Sequence, residues 1–213
     1  MNSAAVSLGA SYVHYGSGLC APMEWTNFDA SPALRLQRLP VLGSLGPASP
    51  KFPANVLYGD IVKGLPVAPR SCRAIYCSHV LEHLSLNDFR MALRNTRTLL
   101  QDRGLFRLVV PDLRVAAERL VADPSPRAAM AFMNETSLGV TDRRRTVGGF
   151  VRSWLGNSQH LWMWDFQSLQ QELEAAGFSA IRRARFGDSE EPMFAVVEEE
   201  SRWTDAVGIQ CAA

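Results

Sequence analysis

The chain carries almost no net charge: 22 lysines and arginines stand against 21 aspartates and glutamates, a formal +1. Without a global field of either sign, composition offers no reason to expect nucleic acid or an anionic membrane as partner. Cysteine is scarce as well. Cys20, Cys72, Cys77 and Cys211 form no CxxC pair, and scattered thiols of this kind fit a reducing compartment, most of them buried as small hydrophobes. No apolar run approaches the length of a bilayer span. The first residues, MNSAAVSLGASYVHYG, lack the basic start and apolar stretch of a secretory signal. Internal repeats and low-complexity tracts are missing too. What is there is an ordinary globular balance over 213 residues, 47% hydrophobic and 20% charged. That is enough for a real core without disulfide or metal staples. The expectation is a single cytoplasmic domain over 1–213, with no membrane span.

Five short β-branched or aromatic runs read as buried strands: YVHYG (12–16), WTNFDA (25–30), NVLYGD (55–60), AIYCSH (74–79) and LFRLVVPD (105–112). Each ends at Gly, Asp or a polar turn residue. Between the fourth and fifth, Ser85 and Asp88 form a capping box, Phe89, Leu93 and Leu100 recur at helical spacing, and Gly104 closes the helix. A second helix starts at Asp165, with Trp164 and Leu169 placed as a hydrophobic staple, and stops at Gly177. FSAIRRARF (178–186) and MFAVVEEE (193–200) read as two final strands pairing antiparallel at one edge. Residues 31–53, rich in proline, suit a loop with one helical turn. Residues 113–160 form a helical and lid insertion, and 201–213 a tail. Strands alternating with helices predict an α/β fold, a Rossmann-like, mostly parallel seven-stranded sheet with the last strand antiparallel and helices on both faces.

The first strand runs into Gly16-Ser17-Gly18-Leu19-Cys20-Ala21. Glycines there let the backbone turn sharply and approach a nucleotide without a Cβ in the way. GxGxxA alone suits dinucleotide cofactors equally. Asp29 ends the second strand, where an acid can accept both ribose hydroxyl hydrogens; it can equally cap the Ser31-Pro32 turn. Asp60 ends the third strand, able to accept from an exocyclic adenine amine while the Ile61 amide faces a ring nitrogen; its bland alternative is also a turn cap. Ligands of open parallel sheets sit outside the carboxyl ends of the strands. Two acids and a glycine loop at consecutive strand ends therefore point to an adenosine-containing ligand.

The succession HYGSG, WTNFDAS, LYGDI, AIYCSHVLEHLS, LLQDRGLFRLVVPDL and HLWMWDFQSLQQELEAAGF resembles class I S-adenosylmethionine-dependent methyltransferases, a small bacterial type, over roughly residues 12–186. Gly18 and Asp29 stand close, leaving little room for the long helix many relatives place between them. The resemblance implies S-adenosyl-L-methionine as cofactor. It implies that the backbone at Tyr15, Gly16 and Gly18 lines its methionine portion, that Asp29 holds the ribose, and that Asp60 with Ile61 holds the adenine. Ser78 and His79 would border the amino-acid moiety and the transferring methyl. Glu82 and His83, one turn on, read as supports of the loop.

Methyl transfer from a sulfonium is an in-line displacement whose main requirement is alignment. A general base matters only where the acceptor must lose a proton. His79 and His160 are the histidine candidates, and Asp112 at the end of the fifth strand points to the same crevice, or else caps the helix that begins at Leu113. His79 and His83 stand i, i+4, but the order HVLEH departs from a zincin's HExxH and no third ligand is apparent, so no metal is expected. Arg143, Arg144, Arg145 and Arg152 stand against Asp142 near Gly148 and Gly149, a solvated loop or a lid guiding an anionic acceptor, with Trp154, Trp162 and Trp164 as an apolar or sugar-stacking wall. The resulting reading is methylation of a small-molecule or glycan-type acceptor, with self-association compatible. Two rivals stay open: a catalytically inactive methyltransferase-like binding module, and an NAD(P)-dependent oxidoreductase. Against the second stand the early Asp29 and the lack of a Tyr-x-x-x-Lys pair.

Overall fold

A computed structural model describes residues 8–38, 51–140 and 159–213. In chain order the strands are β1 (Tyr12–Tyr15), β2 (Thr26–Asp29), β3 (Val56–Tyr58), β4 (Cys72–Ser78), β5 (Leu100–Pro111), β6 (Ser179–Ala184) and β7 (Ala206–Ala212). The α-helices are α1 (Pro32–Gln37), α2 (Leu86–Leu99), α3 (Leu113–Ala122), α4 (Ala128–Glu135) and α5 (Phe166–Ala175). The strands form one sheet in the order β3-β2-β1-β4-β5-β7-β6. β1 to β5 pair in parallel, and β7 runs antiparallel to both β5 and β6. The strand order therefore reverses beside β1, between β2 and β4, the place where such sheets open a crevice.

Period-two alternation assigns each strand residue to a face. Val13, Tyr15, Ile75, Cys77, Phe106, Leu108, Val110, Val207, Ile209 and Cys211 all enter one core cluster with Phe89 and Leu93 of α2 and Leu169 and Leu173 of α5. The two helices are stapled together there: Phe89 stacks on Trp164 at 4.1 Å between ring centroids. Arg90 also forks onto Glu172. Both start where their caps dictate. Ser85 accepts from the Asp88 amide, and Asp165 exchanges a full capping box with Ser168. Gly177, at φ +87°, follows the last turn of α5 in the left-handed conformation that favours glycine.

The opposite face is built differently. Residues 16–25 form turns and no helix, as the short Gly18–Asp29 spacing suggests. The surface left bare is covered from the far end of the chain by two 3-10 turns, Pro192–Val196 and Glu200–Trp203. Phe194 and Val197 pack on Trp25, Ala74, Tyr76 and Val109, the Trp25 indole donates to the Met193 carbonyl at 3.2 Å, and Arg107 reaches across from β5 to Glu198.

Three expectations are corrected here. Residues 193–200 are not a strand: Pro192 and the Glu191 cap, which accepts from the Met193 amide, start a 3-10 turn that sends Phe194 and Val197, three apart, onto the sheet. The segment 201–213 is not a tail but carries β7, whose Val207, Ile209 and Cys211 are buried; it lies between β5 and β6, so the outer edge is β6. Gly104 does not close α2, which ends at Leu99. It sits inside β5 where a Cβ would come within 2.8 Å of the Cys72 carbonyl oxygen.

His14 gives this second face a pH dependence. It is buried on β1 between Trp25 and Tyr76. Burial, reinforced by the charge of Arg202, pushes its pKa down to about 4. A group neutral in the fold but free to protonate near pH 6.5 when unfolded costs nothing above that pH and destabilises as pH falls toward 4. The expected loss at pH 5 is about 2 kcal/mol. Urea unfolding at pH 7.5 and 5.0 measures it. His14→Phe should flatten the difference, and an unchanged pH slope in that variant would refute the assignment.

Candidate active site

Four consecutive strand ends meet at one cleft of about 290 Å³, lined by Tyr15 and Gly16 after β1, Asp29 to Pro32 after β2, Gly59 to Val62 after β3, and His79, Val80, His83 and Leu84 after β4. Gly16 must be glycine for two reasons: its φ is +68°, and a Cβ would sit 2.0 Å from a Val80 methyl. Gly18, at φ +54°, donates its amide to Asp29 Oδ2 at 3.0 Å. Asp29 Oδ1 accepts from the Ser31 amide at 2.7 Å, and Ser31 in turn caps α1. One carboxylate thus ties the glycine turn to the start of α1, and each oxygen retains a second lone pair for a ligand hydroxyl. Its turn-capping and ligand-binding readings are compatible.

Asp60 likewise caps its own turn, accepting from the Val62 amide at 3.0 Å, and pairs with Lys63 at 3.2 Å. Ile61 is buried, and α2 clamps the loop: the Asn95 amide group donates to the carbonyls of Ile61 and Val62 at 2.7 and 3.0 Å. Ser78 is buried at the end of β4 and does not line the cleft. Asp112 does not line it either. It caps α3, accepting from the Arg114 amide at 2.9 Å, which is the capping alternative the sequence held open.

After β4 the chain leaves the sheet abruptly. His79 adopts φ +53°, its amide still bonded to the Val109 carbonyl, and the 3-10 turn Leu81–His83 follows. Glu82 is buried, and its carbonyl accepts from the amides of Leu161 and Trp162 at 2.8 and 3.1 Å. His79 stands 3.4 Å from Glu82 Oε1 and donates Nε2–H to the Arg202 carbonyl at 2.8 Å. Burial lowers its pKa, but the neighbouring Glu82 carboxylate and the hydrogen bond to the Arg202 carbonyl outweigh this and raise it overall. His160 is pushed the other way: burial lowers it more than the charge of Glu82 raises it, and His83 adds to the lowering. His160 lies 5.0 Å from His83 between ring centroids and, like Glu82, does not line the cleft. The sequence reading missed this gathering, because the link between 82 and 161–162 is made by backbone hydrogen bonds that no side-chain pattern announces. The i, i+4 pair His79 and His83 was the only available signal.

Trp164 is core, not a ligand wall, while Trp162 is exposed. Arg143, Arg144, Arg145, Arg152 and Trp154 lie outside the described residues. Among the described residues, no helix is long and apolar enough to cross a membrane.

Residues 19–182 match the family profile of a methyltransferase domain. No curated protein matches the chain in sequence. Among solved structures, the complex between the Haloferax volcanii Trm112 methyltransferase activator and a methyltransferase is similar at 13% identity and TM-score 0.50, covering 98% of this chain and 84% of that one. A Mesorhizobium loti S-adenosylmethionine-dependent methyltransferase is similar at 16% identity and TM-score 0.49, covering 98% and 92%. One from Archaeoglobus fulgidus is similar at 13% identity and TM-score 0.46, covering 95% and 85%.

Proposed function

We propose, from the premise that this chain belongs to the methyltransferase-domain family and takes its methyl group from S-adenosylmethionine, that the cleft at the ends of β1 to β4 holds that donor and that the acceptor is a small molecule or glycan-type compound. The observation that carries the site is the convergence of Gly16, Asp29, Asp60 and His79, from four separate strand ends, on one cleft. The donor supplies an electrophilic methyl group on sulfur. The chain's own task is to align it. Asp29 accepts from the ribose hydroxyls with the lone pairs its backbone bonds leave free, Asp60 and the Ile61 amide address the adenine, and the Gly16 turn admits the methionine portion close to the backbone. Tyr15 floors the cleft, its hydroxyl fixed by Thr96 at 3.3 Å.

Alignment rather than proton removal is the main contribution on this reading. His79, the best-placed base, already has one ring nitrogen on a carbonyl and the other facing Glu82.

The test is thermal. S-adenosylhomocysteine at about 100 times its dissociation constant should stabilise the fold by about 2.7 kcal/mol, roughly 5–10 °C in Tm for a chain of this size. A shift with NADH and none with S-adenosylhomocysteine would sink the reading.

A further inference from the structure

Among the described residues, Glu82 is the buried carboxylate whose two oxygens both lack a hydrogen-bond partner. Its side chain is 1% exposed. A lone buried carboxylate costs several kcal/mol unless a proton, a cation or a set of donors meets it. The groups around it are imidazoles, and their outer bonds determine what they present. A carbonyl can only accept, so His83 Nδ1 must donate to the Gln159 carbonyl at 3.0 Å, and His79 Nε2 must donate to that of Arg202. In their neutral forms both rings then aim a lone pair at the carboxylate: His83 Nε2 at 3.9 Å and His79 Nδ1 at 3.4 Å from the same Oε1. Lone pairs facing a carboxylate repel it unless something positive lies between them. His160 completes the group from a distant part of the chain, its own Nδ1 buried and without a hydrogen-bond partner among the described residues.

From this the structure assigns a divalent metal site to Glu82, His83 and His160, with the His79 ring beside it. Ligand atoms of the first three lie within 4.8 Å of one another. Two imidazoles and a carboxylate are a donor set for a borderline transition ion such as Zn²⁺, Mn²⁺ or Fe²⁺ rather than for Ca²⁺, which takes oxygen. At bond lengths of about 2.0–2.2 Å, donors around such an ion lie roughly 3.3 Å apart, so separations of up to 4.8 Å need a contraction of at most about 1.5 Å, within reach of side-chain rotation. The carbonyls of Gln159 and Arg202 are the outer partners that orient ligating histidines and choose their tautomers.

The sequence alone argued against a metal because HVLEH departs from the zincin order and no ligand beyond that motif was in sight. The fold supplies it, 77 residues after His83. Three protein donors leave at least one coordination position for an outside oxygen. His79 and His83 also line the donor cleft. Resting on the methyltransferase reading, we take that position to orient an oxygen of the acceptor.

The untagged chain should be stripped with chelator, titrated with Zn²⁺ and Co²⁺, and the bound metal counted by mass spectrometry. One equivalent per chain is expected, with cobalt d–d bands of nitrogen and oxygen ligation and no thiolate charge transfer. His160→Ala and Glu82→Gln should each weaken binding by 10- to 100-fold or more, whereas Cys20→Ser should not. His160 is only partly buried, so its variant remains informative if Glu82→Gln fails to fold. Substoichiometric metal, binding unaffected by His160→Ala, or binding lost in Cys20→Ser would each overturn the assignment. Repeating the S-adenosylhomocysteine melt on stripped protein separates the two ideas. A ligand shift without metal binding sinks only the metal site, and metal binding without a ligand shift sinks only the donor site.

Discussion

Arg107→Ala is expected to destabilise the protein by about 3–5 kcal/mol, the usual loss when one partner of a buried ion pair is removed, or roughly 6–20 °C in Tm. The side chain is fully buried on β5, and every guanidinium nitrogen is engaged. Nε meets Glu198, Nη1 meets Asp188 and Gln210, each at 3.0 Å, and Nη2 meets the Arg185 carbonyl at 2.7 Å. The Trp203 ring lies 4.7 Å from the guanidinium carbon. Truncation leaves Glu198, 1% exposed, with only the Gly187 amide at 3.0 Å. The cost is therefore dominated by the charge left behind. Arg107→Ala combined with Glu198→Gln should accordingly be less destabilised than Arg107→Ala alone. Arg70→Ala, at an exposed pair with Asp102, should cost no more than about 1 kcal/mol. Urea unfolding of the three variants beside the wild type decides the matter. A loss under about 1 kcal/mol for Arg107→Ala would mean that the 192–203 segment is held by its apolar contacts and not by this network.

Asp29→Ala should lower S-adenosylhomocysteine affinity by roughly 100- to 1000-fold. Hydrogen bonds to a charged group contribute about 1.5–3 kcal/mol each, and two ribose hydroxyls together lose about 3–4 kcal/mol, at 1.4 kcal/mol per tenfold. Part of the loss is indirect, since the amides of Gly18 and Ser31 also lose their acceptor and the loop that borders the cleft loosens. Asp29→Asn separates the contributions. It keeps the shape but turns a donor NH2 toward one of the two backbone amides that Asp29 accepts from, so it should weaken binding by about tenfold and lower Tm without ligand by less than Asp29→Ala does. Asp60→Ala, at a more exposed carboxylate already paired with Lys63, should cost about tenfold or less. Calorimetric titration measures all three. Wild-type affinity in Asp29→Ala would remove the ribose role and leave Asp29 as the cap it also is.

The first five strands, α2, α5 and the strand-end acids were legible in the sequence because their signals are local. Alternation decides a strand, Ser85 and Asp165 decide a helix start, and a glycine turn before an acid decides where a cleft can open. Those signals were sufficient to assign the α/β class and the residues Gly16, Asp29, Asp60 and His79 that the structure brings to one place. They could not arbitrate between roles at a single residue. Asp112 and Asp29 read alike, as an acid at a strand end, yet the first caps a helix and faces Arg183 away from the cleft lining, and the second borders the cleft.

What the tertiary structure decided is everything that depends on which distant segments meet. MFAVVEEE and WTDAVGIQCAA offer similar apolar alternation, so the order of the last strand cannot be read from either alone. In the structure Glu198 meets Arg107 from a turn over the sheet, and 206–212 pairs with β5. The missing helix after Gly18 was visible in the spacing, but its replacement by Phe194 and Val197 was not, because the covering segment lies about 170 residues away. The same holds for His160. Nothing near it in sequence singles it out, and it comes beside a buried carboxylate through the hydrogen bonds of Leu161 and Trp162 to the Glu82 carbonyl and of His83 to the Gln159 carbonyl. Local patterns determine elements and their ends; the meeting of one segment with another is determined by packing and charge pairing that no window of sequence contains.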